Sequence, residues 1–115
     1  MKIVCNTHKK GNKIITPPET LEVRIYFTSD VLGDCTAKEV YLPEKVNFDL
    51  TRAVNSAAEE LANTIKSLES QGENVGVLNF TRATVQIVDK QFKRKMGVWF
   101  SSDDINDIME AMLDD

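Results

Sequence analysis

Histidine is nearly absent from this sequence: His8 is the only one in 115 residues. Cysteine is scarcely better represented, by Cys5 and Cys35. These two shortages exclude much side-chain chemistry. A structural zinc site takes four ligands, and no second histidine or third cysteine exists to complete one around Cys5 and His8. A Cys–His nucleophile needs a third group to hold the base. The Cys5-x-x-His8 spacing therefore reads as a small buried thiol beside a solvated imidazole. No Gly-rich phosphate loop and no Gly-x-Ser-x-Gly elbow occurs. The expectation is a protein that is not an enzyme, with no metal and no cofactor.

Long apolar runs are also missing, so no membrane-spanning helix is expected. Only Ile3, Val4 and Cys5 follow Lys2 before polar residues return, too short an apolar core for a signal peptide. The reading is a cytoplasmic protein. Two cysteines fit a reducing compartment; a Cys5–Cys35 bridge between neighbouring strands is the alternative. Basic residues are missing from residues 101–115, which hold six carboxylates. The net charge is −4, so the first hundred residues carry +2 and the acidity belongs to the tail.

What the chain does have is one long amphipathic stretch, Asp49 to Gln71. Its apolar residues (Leu50, Ala53, Val54, Ala57, Ala58, Leu61, Ala62, Ile65, Leu68) recur at steps of three and four, the period of a helix. Asp49 or Asn47 can cap its start, Val46 can staple onto Leu50, and Gly72 suits its stop. The apolar arc spans about 180°, wider than a surface helix needs. Alanines line its flanks, where a neighbouring backbone can come close. The helix should lie on a sheet and meet either a second helix or a second copy of the chain.

Before it, residues 2–5 start a strand, residues 8–13 form a basic loop, and Ile14 and Ile15 resume a strand. Pro17 and Pro18 break the chain. Leu21–Thr28 alternates cleanly, with Leu21, Val23, Ile25 and Phe27 facing inward. Thr36–Leu42 is its return strand, ended by Pro43. After the helix, residues 75–80 and 83–88 are both β-rich, but their alternation disagrees. Either a bulge lies near Phe80–Ala83 or these are two strands. Residues 89–91 turn, and Phe92–Phe100 runs back, with Gly97 marking a bulge or a close backbone approach. Ser101 or Ser102 caps a last helix, whose stripe is Ile105, Ile108, Met109, Met112 and Leu113. Asp114 and Asp115 oppose its dipole, so its last turn should fray. The layout is a single α+β domain over 1–115: an antiparallel sheet of four to six strands packed against one long central helix and a short C-terminal helix.

The expected function is a small non-catalytic protein-binding module, an inhibitor or accessory protein acting through protein–protein contact. Its recognition surface would be the last helix, through Asp103, Asp104, Asp107, Ile108, Glu110 and Met112. Methionine surfaces adapt to partners, and an acidic rim steers toward a basic one. A homodimer is the expected assembly. The alternative is single-stranded nucleic-acid binding through Lys90, Lys93, Arg94, Lys95 and Trp99, by phosphate contacts and stacking. Against it stands the net charge, unless the acidic part of the molecule points away.

Overall fold

The computed structural model of the chain describes residues 2–4, 20–42, 49–88 and 94–114. Two hairpins are joined by a helix. β1 (Lys2–Val4), β2 (Thr20–Ser29) and β3 (Gly33–Tyr41) come first, then α1 (Leu50–Ser70), then β4 (Leu78–Val88), β5 (Arg94–Phe100) and α2 (Ser102–Leu113). β3, β2, β4 and β5 form a four-stranded sheet, with the three-residue β1 on the outer side of β3, and all pairings are antiparallel. The α+β architecture is as expected, with both helices on one face of the sheet.

The alternation of β2 decides which face that is. Leu21, Val23, Ile25 and Phe27 are buried under α1, while Arg24, Tyr26 and Thr28 face the other way and are only partly buried. Ala37 and Ala83, on the strands either side of β2, present no bulk toward the helix. α1 answers with Ala53, Ala57, Ala58 and Ala62, all buried, around Val54, Leu61 and Ile65. The wide apolar arc is thus consumed inside the chain: the sheet takes one side, and α2 packs along another through Ile105 and Met109. The arc itself requires no second copy.

The ends of α1 are chemically explicit. Asp49 accepts hydrogen bonds from the Thr51 and Arg52 amides at 3.0 and 3.2 Å. At the other end the Gly72 amide reaches Glu69 O and the Glu73 amide reaches Leu68 O, each at 3.0 Å, with Gly72 at a φ of +85°. This pair of bonds around a left-handed glycine closes the last turn.

Two expectations change. Residues 75–77 are not strand. Their backbone is held by side chains instead: Ser29 Oγ donates to Val75 O at 2.5 Å, and Asp30 Oδ1 accepts from the Val77 amide at 2.7 Å. The alternation conflict resolves as a bulge within one strand. Arg82 opposes Tyr26 and Phe80 opposes Phe27, which leaves Thr81 as the extra residue. A second irregularity lies at Lys95 rather than at Gly97, since Met96 opposes Ile87 and Arg94 opposes Val88. Gly97 is the close backbone approach instead, a Cβ there standing 3.2 Å from Val85 O. Other expectations lie outside the described residues: Cys5 and His8, the 8–13 loop, Ile14 and Ile15, the Pro17–Pro18 break, Pro43, Val46, Asn47, the 89–91 turn and Phe92.

Candidate functional site on the open face of the sheet

The bulge at Thr81 sets up the surface. Phe80 and Ala83 are both buried although they lie an odd number of positions apart, so strict alternation must fail between them. The extra residue absorbs the mismatch. Arg82 consequently falls on the face away from the helices, opposite Tyr26, and its guanidinium lies 4.4 Å from the centre of the Tyr26 ring. Thr81 Oγ1 donates to Tyr26 O at 3.1 Å and fastens the bulged strand to β2.

The pairing extends this face across the sheet. Arg24 opposes Thr84 on β4 and Lys38 on β3, and Thr84 in turn opposes Trp99 on β5. Trp99 is 71% exposed. Among the described residues no element covers this face; α1 and α2 both lie on the other. Glu22, buried here, binds Arg24 at 2.6 Å and Lys38 at 3.6 Å. Burial alone pulls the Arg24 guanidinium down. Hydrogen bonding to Tyr26 and the Glu22 carboxylate outweigh it, so Arg24 is held above its ordinary pKa.

Two shallow cavities lie on this face, and Arg82 lines both. One, of about 350 Å³, is formed by Arg82, Thr84, Gln86, Gly97, Val98 and Trp99. Gly97 keeps it open: a Cβ there would stand 3.2 Å from both Gln86 Cγ and Val85 O. The other, of about 510 Å³, is formed around Tyr26, Thr28, Asp34, Thr36, Thr81 and Arg82.

The last helix supplies the contrast. Ser101 caps it, accepting from the Asp104 amide at 3.3 Å. Asp103, Asp107, Glu110 and Asp114 are exposed along one stripe, with Asp104 beside it. Ile108 and Met112 are partly buried and packed against the core. What α2 turns outward is acid rather than a mixed acidic and methionine surface. Its last turn, expected to fray, carries a cation at its end: Lys66 Nζ donates to Met112 O at 2.8 Å.

Of the residues expected to bind nucleic acid, Trp99 is on the open face, and Arg94 and Lys95 open β5. Lys90 and Lys93 lie outside the described residues. Sequence reasoning missed Arg24, Tyr26, Lys38 and Arg82, which share this face with Trp99. For Arg24 and Tyr26 the signal was present, as the polar phase of β2. Arg82 was hidden behind the bulge. Among the described residues no group of three or more His, Cys, Asp or Glu could hold a metal ion. No described helix is long and apolar enough to cross a membrane.

No family model matches the sequence, and the searches of curated proteins and of solved structures find no match either.

Proposed function

We propose that this protein binds single-stranded nucleic acid across the open face of its sheet. One observation carries the reading: the exposed Trp99 ring and the exposed Arg82, stacked on a half-buried Tyr26, share a sheet face that no described element covers, while the acidic helix lies on the opposite layer. Bases stack on exposed rings regardless of sequence, and cations between them neutralise phosphates. The objection from net charge loses its force in this geometry, because the carboxylates of α2 point away from the face that would hold the polyanion.

Trp99 is the sole tryptophan of the chain, so it reports on its own face. Titrating the protein with a 12-nucleotide single strand at low salt is expected to quench its fluorescence. Arg24 and Lys38 are already paired with Glu22, so Arg82 sets a salt slope of about −0.7, the value for one neutralised phosphate. Trp99→Ala should weaken binding, read by anisotropy of a labelled strand, without moving the melting temperature. The absence of quenching and of anisotropy change at low salt overturns the proposal.

A second reading is contact with a basic protein surface through α2. It is favoured by the exposed stripe of Asp103, Asp107, Glu110 and Asp114, none of which pairs with a described cation. The two readings predict opposite ligands. An Asp103→Lys plus Asp107→Lys variant should bind single strands as well as the native protein, but should lose any basic partner.

A further inference from the structure

The two cavities are unlike in chemistry, and we infer that their difference makes the open face prefer RNA to DNA. The inference rests on the proposed function and deepens it. The smaller cavity has an aromatic wall, Trp99, and a bare backbone at Gly97, which suit a stacked base. The larger cavity holds the hydroxyls of Thr28, Thr36 and Thr81, with the Asp34 carboxylate among them. Asp34 opposes Thr28 at the end of the β2–β3 pair, is exposed, and makes no ion pair with a described residue.

A carboxylate in that position repels a phosphate and only accepts hydrogen bonds. What it recognises in a nucleotide is therefore a hydrogen-bond donor, either a base N–H, which RNA and DNA share, or a sugar hydroxyl. The Thr28 and Thr36 hydroxyls can donate or accept, and so can match the second role of a sugar hydroxyl, while Thr81, whose proton goes to Tyr26 O, can only accept. Ribose brings a 2′-hydroxyl to such a site; deoxyribose does not. This hydroxyl is what allows a protein to tell RNA from DNA at a given position. Arg82, lining both cavities, is placed to take the phosphate linking a base stacked at Trp99 to a sugar seated beside Asp34. Both cavities fall within the usual size of small-ligand sites, about 300–1,000 Å³.

The experiment compares ten-residue oligo-U, oligo-dU and 2′-O-methyl-oligo-U on the intact chain by Trp99 quenching. All three present the same base and charge. Oligo-U is expected to bind about tenfold more tightly than oligo-dU, the effect of one hydrogen bond to a charged group. The 2′-O-methyl strand, which has no donor, should match oligo-dU. In Asp34→Ala, oligo-U should fall to the affinity of oligo-dU, and oligo-dU should hold or improve as a negative charge leaves the face. Equal binding of oligo-U and oligo-dU by the native protein overturns the inference and leaves the nucleic-acid reading standing. So does a ribose preference that survives in Asp34→Ala. Failure of every strand to quench Trp99 overturns both.

Discussion

Arg82 lies over the ring of Tyr26 at 4.4 Å because the residue before it, Thr81, has no counterpart on β2. The pair belongs to the proposed binding face more than to the fold. An exposed cation–π contact contributes about 0.5–1 kcal/mol. Arg82→Ala should therefore lower the melting temperature by no more than about 4–8 °C. Its effect on single-strand affinity should be larger, about tenfold or more, since it removes the one cation common to both cavities. Arg82→Lys keeps the charge but loses the planar stack, and should fall between. Comparing melts with anisotropy titrations checks this, and equal affinity of all three proteins contradicts it.

Asn106 does for the bulged end of β4 what a neighbouring strand does elsewhere. β5 ends its pairing at Phe100, opposite Ala83, so Phe80 lies beyond its reach. The Asn106 side chain meets both backbone groups of Phe80, its Nδ2 donating to the carbonyl at 2.8 Å and its Oδ1 accepting from the amide at 3.4 Å. Nδ2 also donates to Ser102 O at 2.7 Å. Asn106→Ala leaves these groups unanswered and should cost about 1–3 kcal/mol. Denaturant unfolding should show the loss as a lower midpoint with an unchanged slope.

These contacts mark where the sequence stopped being readable. Periodicity disclosed β2, α1 and α2, because their apolar residues repeat at 2.0 and 3.6 and burial follows that repeat. The stop at Gly72 was local chemistry and equally plain, while the cap was narrowed to Asp49 or Asn47 and falls to Asp49. The conflict of phase between residues 75–80 and 83–88 left a bulge or two strands open, and the pairing with β2 settles it as a bulge that expels Thr81. The fate of residues 75–77 depended on Ser29 and Asp30, more than forty positions earlier. No periodicity within 75–77 reports such a partner. The candidate site was least legible. The polar phase of β2 shows that Arg24 and Tyr26 avoid the core; whether another layer covers them is a property of topology. Only the placement of both helices on one side made that phase an open face.

Lys66 serves the end of α2 from another helix. The last turn of α2 contains no basic residue, and Asp114 follows it. A cation near that end is worth about 0.3–1 kcal/mol, and up to about 2 kcal/mol when partly buried. Lys66→Met keeps most of the stem's apolar contact and removes the ammonium. The variant should lose stability within that range. Its amide exchange should quicken in residues 109–114 while the central strands keep their protection. Uniform quickening throughout the sheet would show that Lys66 does not act locally on α2.

Acid should stabilise one corner of the helix–sheet interface. Tyr41 of β3 donates its hydroxyl to Glu60 Oε2 of α1 at 3.1 Å. Partial burial pushes the Tyr41 hydroxyl well above its ordinary value, and the neighbouring Glu60 carboxylate adds to the shift. Glu60 is itself raised above the ordinary glutamate value, first by desolvation and then by hydrogen bonding to, and repulsion from, Glu39. The sign follows. A carboxyl whose folded pKa exceeds its unfolded one holds its proton more tightly in the native state, so it favours folding as the pH falls through the raised value and opposes folding above it. Glu60→Gln removes the charge and retains an acceptor for Tyr41. It should raise stability at pH 7 by less than about 1 kcal/mol, since solvent screens this exposed group. The advantage should shrink as the pH falls into the acidic range, where the native Glu60 also becomes neutral. Melts of both proteins from pH 7 down to pH 4 measure the gap directly. A gap that stays constant over that range would mean that the gain comes from packing, and not from the charge on Glu60.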